Sequence, residues 1–380
     1  MEILHYTEAH HDFRRRLRRF CEQEVMPHVA QWEADHSVPR EIWRKMGRAG
    51  FLCPDVPPEY GGLGGDFIYS LIVAEEISRT AQTGLAANLH SDVVVPYISA
   101  FGSPELKRRY LPGCVSGDIV TAVAMTEPGA GSDLAGMQTT AVEEGGEVVL
   151  NGSKTFISNG IVCDLVIVAA KDPAMTDKHR AVSLYVVEEG TPGFKKGNRL
   201  DKMGWHSQDT AELFFTNCRI PVKNRLGEKG GGFFLMMEKL QQERLACSVG
   251  AVAAAERIVE YTVDYCKRTL VDGKPLSRSQ AVQFALVEMS AEAKVARIFL
   301  EKLIADHMEK KNIVVEVSMA KYWCTDATNR LADRALALIG EFGTLEACPM
   351  VQAFRDTRVM SIFAGTNEIM KGIAAKFMGL

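Results

Sequence analysis

The segment with the most chemical promise is Ala124-Met-Thr-Glu-Pro-Gly-Ala-Gly-Ser-Asp133. Its glycines leave backbone N–H groups open, with a serine hydroxyl beside them. Such a nest suits an anionic or hydrogen-bonding ligand. It is not a dinucleotide fingerprint, because no strand–helix pattern of that type surrounds it. Taken alone, it reads more often as an ordinary turn of a β-domain, since Gly and Asp dominate turns for conformational reasons. A second candidate is Asp92, in Leu89-His-Ser-Asp-Val-Val-Val-Pro96. A carboxylate among Val93, Val94 and Val95 is costly to ionise without a partner. A helix cap or turn would equally explain an Asp there. Glu243, in Leu240-Gln-Gln-Glu-Arg-Leu245, reads from spacing alone as a helix-surface residue paired with Lys239.

Other chemistries find little support. The nine cysteines are scattered, and no two make a Cys-x-x-Cys pair, so a zinc site is unsupported. Such cysteines are usually reduced core residues. The nine histidines lack metal spacing, and adjacent His10 and His11 cannot share a helix face. A net charge of -4 with 24% charged residues argues against a nucleic-acid binder or a disordered chain. The basic run Arg14 to Arg19 lies in a helical pattern and reads as a solvated face. No apolar run suggests a membrane span. The N-terminus lacks a signal-peptide pattern, and Glu8 and Asp12 argue against a transit peptide. A cytoplasmic protein is expected.

These residues must be positioned by three kinds of chain. At 380 residues and 47% hydrophobic, the sequence exceeds what one core usually holds. Residues 1–120 read as helical, with helices expected over Asp12 to Trp32, Arg40 to Gly50, Phe67 to Leu89 and Pro104 to Leu111. Residues 121–231 change character. Short β-branched or aromatic runs at Val148–Leu150, Asp164–Ala170, Ala181–Val187 and Ala211–Thr216 alternate with Gly, Pro and Asn clusters. An antiparallel β-domain follows from that spacing. Over residues 232–380 long helical patterns return, at Phe233–Lys267, Ser277–Lys310, Val314–Leu338 and Met350–Lys376. The fold class is therefore α+β, ending in a helical bundle.

Several segments, in order, resemble one family. Met125-Thr-Glu-Pro-Gly-Ala-Gly-Ser-Asp133 is similar, nearly letter for letter, to the signature of the acyl-CoA dehydrogenases. Asn151-Gly-Ser-Lys-Thr-Phe-Ile-Ser-Asn-Gly160, Lys202-Met-Gly204, Asp209-Thr-Ala-Glu-Leu213 and Phe363-Ala-Gly-Thr-Asn-Glu-Ile-Met370 resemble its later motifs. Pro39-Arg40 and Glu59-Tyr-Gly-Gly62 match its N-terminal helices. The resemblance spans essentially the whole chain. It implies N-terminal helices, a β-domain and a C-terminal four-helix bundle. It also implies FAD as cofactor, an acyl-CoA substrate and a homotetramer that shares its flavin sites between subunits. Electron-transferring flavoprotein is the implied acceptor. By resemblance, Met125, Thr126, Phe156 and Ser158 meet the flavin ring. Gly131 and Ser132 lie near flavin and thioester, Thr366 and Glu368 approach FAD, and Arg244 lies near CoA.

The family reaction needs a carboxylate to take the α-proton while hydride leaves the β-carbon for flavin N5. Many members carry Glu just before the Gly-Thr of the C-terminal signature, where this chain has Ala364 followed by Gly365. A group that resembles isovaleryl- and long-chain acyl-CoA dehydrogenases places the Glu on a bundle helix, just before an Arg. Gln242-Glu243-Arg244 fits that pattern, so Glu243 becomes the expected base. The N–H at Ala364 remains available to the thioester oxygen. Asp92 falls where related sequences line the acyl pocket. A second acid or base there, acting on a branched or alicyclic acyl group, is the corresponding expectation. Two ADP-side motifs are altered. Arg268 is followed by a longer, Phe-less turn, and Gly340 stands in a segment lacking the usual Gln, while Gln280 is retained. An oxygen-using acyl-CoA oxidase and a non-catalytic CoA-thioester binder are the competing readings.

Overall fold

The structure is a computed structural model and describes residues 3–380. Six helices come first: α1 (Glu8–Phe20), α2 (Val29–Asp35), α3 (Arg40–Arg48), α4 (Phe67–Arg79), α5 (Val95–Phe101) and α6 (Pro104–Ser116). Local chemistry sets their ends. Thr7 and His10 form a capping box on α1, Asp66 caps α4, and Ser103 caps α6 ahead of Pro104. Arg14 and Arg18 of the basic run reach across to Glu75 and Glu76 on α4, while Arg15 and Arg16 stay exposed.

Two expected helices are interrupted. The pattern from Asp12 to Trp32 breaks into a π turn, Cys21–Val25, and a 3-10 turn, Met26–His28, where Pro27 has no N–H to donate. The pattern from Phe67 to Leu89 stops at Arg79. A loop follows in which Gly84 packs on the Ser207 backbone, so closely that a Cβ would lie 2.3 Å from its carbonyl oxygen. The chain then re-enters as a π turn at Leu89–Val94, which runs into α5.

Eight strands form one sheet: β1 (Thr121–Ala124), β2 (Thr140–Glu144), β3 (Glu147–Ile157), β4 (Leu165–Lys171), β5 (Val182–Glu188), β6 (Phe194–Arg199), β7 (Ala211–Pro221) and β8 (Arg225–Leu226). The order is β6-β7-β3-β2-β4-β5-β8, with β1 beside β4. The sheet is mixed and not purely antiparallel. β1 runs parallel to β4 because the chain makes the β2–β3 excursion before returning. The uninterrupted apolar run of β4 has a simple cause. Leu165, Ile167 and Ala169 face the core shared with the helices, while Val166, Val168 and Ala170 face a core internal to the β-domain.

The C-terminal helices are α7 (Gly232–Arg268), α8 (Gln280–Met308), α9 (Val314–Ile339), α10 (Pro349–Thr357) and α11 (Asn367–Phe377). With 37 residues, α7 is about 55 Å long. It packs on α8 and α9 and also on α4. The last expected helix ends at Thr357, passes through a 3-10 turn at Arg358–Ser361 and resumes at Asn367 after Ala364 (φ 54°) and Gly365 (φ 89°) turn left-handed. No helix among the described residues is long and apolar enough to cross a membrane.

Candidate active site

Three consecutive side chains on α7 reach three different segments. Gln241 accepts from the Ile313 N–H at 3.1 Å. Gln242 donates to the Asp92 carbonyl at 2.9 Å. Glu243 turns inward and accepts from the Tyr97 hydroxyl at 2.7 Å. Glu243 is 8% exposed and makes no ion pair with Lys239, whose ammonium lies over the Phe101 ring. Burial pushes its carboxyl up to about 7, against the Tyr97 hydrogen bond and the charges of Arg244 and Lys239, which pull it down. A group ionising there suits proton abstraction near neutral pH. The next residue, Arg244, is also buried, and its Nε has no partner among the described residues.

Asp92 lies on the π turn, 3% exposed. It caps no helix. Its carboxylate accepts from Ser70 and from Asn88, both at 2.6 Å. Burial raises it to about 7, with Asp55 adding repulsion and both hydrogen bonds opposing. The Gln242 contact ties the Asp92 backbone to the turn of α7 that holds Glu243.

The Gly-rich segment continues from β1 and is pinned from beneath. Lys154 on β3 is fully buried and donates to the Met125 carbonyl at 3.0 Å and to Glu127 at 2.8 Å. Glu127 also accepts from the Gln138 and Thr139 N–H groups. The Thr155 N–H meets the Thr126 carbonyl at 3.0 Å. The register of β3 slips between Lys154 and Ile157, and Phe156 takes a left-handed φ of 57°. That turn holds its ring out, 66% exposed, although the ring is apolar. Gly131 and Ser132 are exposed, with open space where a Cβ of Gly131 would stand.

The C-terminal signature is held from α9. Lys321 on α9 is fully buried and donates to the Gly365 carbonyl at 2.7 Å and to Asn367 at 3.1 Å, fixing the left-handed Ala364–Gly365 turn. Thr366 uses its hydroxyl to cap α11, and Glu368 is exposed in that helix's first turn. Trp205 packs edge-on against Phe363 and donates through Nε1 to the Asp356 carbonyl. The Asp356 carboxylate accepts from the Trp205 N–H at 2.6 Å. Beside this link, a cleft of about 350 Å³ is lined by Met203, Asp326, Phe354 and Arg358.

Met125, Trp205 and Phe363 all pack on the core that also contains Met236, Leu245 and Val249 of α7. The structure thus joins the Met125 and Phe363–Ala364 regions to the helix that carries Glu243 through one continuous core. It does not bring Arg268, Gln280 and Gly340 there. Arg268 is 24 residues beyond Arg244, about 36 Å along α7. Gln280 opens α8 and Gly340 follows α9, at the same end of the bundle, where Tyr265 bonds the Ile339 carbonyl. All three are exposed. Sequence reasoning missed Tyr97, Lys154, Lys321 and Asp356. Lys154 had a signal, since it lies inside a recognised motif; the other three had none.

An exposed aromatic ring beside backbone and hydroxyl donors, together with a buried carboxyl of near-neutral pKa, defines a class. It is that of flavoprotein dehydrogenases, and the residues around Phe156 fit a flavin ring. Three family models match consecutive parts of the chain. They are described as acyl-CoA dehydrogenase N-terminal domain (residues 7–118), middle domain (122–218) and C-terminal domain (230–379). The long-chain specific acyl-CoA dehydrogenase of Sus scrofa is 41% identical over 98% of this chain and 86% of its own. The isovaleryl-CoA dehydrogenase of Oryza sativa is 30% identical over 98% of this chain and 91% of its own. A crystal structure of an acyl-CoA dehydrogenase from Geobacillus kaustophilus is 48% identical, covers 99% of both chains and superposes with a TM-score of 0.97. The chain belongs to the acyl-CoA dehydrogenase family. It is an enzyme of the acyl-CoA dehydrogenase type, and FAD is its cofactor.

Proposed function

We propose that the protein dehydrogenates a branched or alicyclic acyl-CoA thioester, with Glu243 as the base. The observation that carries this reading is the buried Glu243 carboxyl, raised to about 7 beside the partnerless Nε of Arg244. Met125, Thr126, Phe156 and Ser158 hold the flavin ring, with Gly131 and Ser132 at its edge. FAD, when bound there, would supply the hydride acceptor for the β-carbon. Glu243 takes the α-proton, and the Ala364 N–H donates to the thioester oxygen as negative charge gathers there. Arg244 faces the CoA part of the substrate. Asp92, a second buried carboxyl near pKa 7, supports an acyl group with a further reactive or polar-sensitive carbon.

Arg268, Gln280 and Gly340 are too far along the bundle to serve the flavin of their own chain, so they contact the ADP half bound by a neighbour. Thr366 and Glu368 reach FAD from the start of α11. The exposed apolar stripe Phe284, Val287, Val295 and Ile298 on α8 supports a homotetramer. Electron-transferring flavoprotein reoxidises the flavin, and the enzyme works in the cytoplasm.

Anaerobic titration of the holoenzyme with straight, branched and cyclic CoA thioesters tests the substrate class. Glu243→Gln is expected to abolish flavin bleaching, with FAD retained. Asp92→Asn is expected to lose activity selectively on branched or cyclic substrates. Bleaching by long straight chains alone would defeat the substrate assignment, and full activity in Glu243→Gln would defeat the base assignment.

A further inference from the structure

A base is effective only when its lone pair points at the proton it must take. A glutamate has three rotatable bonds, so something must stop the Glu243 carboxyl from turning. The Tyr97 ring is fully buried, and α5 fixes it just after Pro96. Its hydroxyl donates to Glu243 Oε1 at 2.7 Å, and among the described residues it is the hydrogen-bond partner of that carboxylate. Oε2 is left without one. Tyr97 itself stays protonated, because burial and the adjacent carboxylate push its hydroxyl well above the usual tyrosine value. Its donor character is therefore constant through the neutral range.

We propose that Tyr97 is a positioning residue for the catalytic base: its hydroxyl holds Oε1, sets the plane of the carboxylate and leaves Oε2 to receive the substrate's α-proton. This rests on Glu243 being the base. In the step, the α-C–H bond breaks and its proton goes to Oε2. The bonding pair moves into the new carbon–carbon double bond as hydride leaves the β-carbon for the FAD of the established reaction. The hydrogen bond also favours the charged, basic form of Glu243. The other charges near Glu243 are Lys239 and Arg244 on its own helix. Asp92 lies on the π turn whose backbone Gln242 holds, and the carboxylate charge that it feels is that of Asp55. On α8, His307 senses Lys239, and on α9, Lys321 senses Arg244. None of these accepts or donates a hydrogen bond to the Glu243 carboxylate, so none can replace Tyr97 in fixing its orientation.

The test is the pH profile of substrate-dependent flavin reduction in the Tyr97→Phe holoenzyme. Removing the donor is expected to move the acid limb up by about one pH unit. The plateau rate above the limb is also expected to fall about tenfold, because an ionised but unheld carboxylate no longer aims Oε2 at the proton, with flavin content and KM near wild type. An unmoved limb, or a plateau rate equal to wild type, overturns the proposal. If Tyr97→Phe fails to fold, 3-fluorotyrosine at position 97 decides. It keeps the ring and strengthens the donor, so the limb moves down; an unmoved limb again overturns the proposal. Glu243→Gln separates the two readings. If it stays active, the base assignment and the proposal fall together. If it is inactive while both Tyr97 replacements leave the limb in place, only the positioning role falls.

Discussion

Carboxyl groups moved out of water resist ionisation, and this chain buries two of them, Glu243 and Asp92. In the folded protein Glu243 and Asp92 both titrate at about 7, from ordinary values of 4.5 and 3.8. A raised folded-state value stabilises the fold fully below the ordinary pKa, and that contribution is lost as pH rises through about 7. Above neutrality each group therefore weakens the fold. Asp92→Asn is expected to raise stability by about 1–3 kcal/mol near pH 8 and to have little effect near pH 4. Denaturant unfolding at the two pH values checks this; equal effects at both would contradict it. The sequence exposed half of this site. Ala364 removed one carboxylate, and the Glu243-Arg244 pair offered another. Tyr97 was invisible because it lies 146 residues from Glu243, and no spacing encodes such a contact.

At the scale of elements, the strand that carries Phe156 depends on a buried ion pair. Lys154 and Glu127 are both out of water, and together they tie β3 to the segment after β1. Removing one partner strands the other charge and costs about 3–5 kcal/mol. Lys154→Ala is therefore expected to lower thermal stability sharply and to release FAD on gel filtration. Retention of stoichiometric flavin would show that the Met125–Thr126 backbone holds itself. β4 and β5 were legible because burial on both faces makes them continuous apolar runs. β6 was not, because Phe194-Lys-Lys-Gly-Asn-Arg199 is an edge strand and its polar composition matches a loop. The π turn at Leu89–Val94 begins where the helix expected over Phe67 to Leu89 was to end, and its run of adjacent valines carries no helical period.

The whole molecule leaves an apolar stripe uncovered. Phe284 and Val287 are 60% and 67% exposed, one turn apart on α8. Charges placed there are expected to split the assembly: Phe284→Asp with Val287→Asp gives a smaller species by light scattering. On the proposed sharing of FAD between subunits, the same variant is also expected to lose FAD. A variant that stays assembled would locate the contact elsewhere. The sequence delivered the succession of helices, sheet and helices through changes in period. It could not deliver the subunit contact, since an exposed apolar face on one chain is indistinguishable by pattern from a buried one.

The cysteines, noted first only as unsuited to metal, form a set of built-in reporters. Eight of the nine are buried, and none is in a disulfide among the described residues. Burial raises the thiols at Cys21, Cys163 and Cys324 to about 12, so few thiolates exist to react at neutral pH. They are distributed over every part of the chain, from Cys21 and Cys53 in the first helices, through Cys163 and Cys218 in the sheet, to Cys324 and Cys348 in the bundle. A thiol reagent therefore reads the opening of each part separately. The order in which these sites become labelled traces the order in which the molecule comes apart.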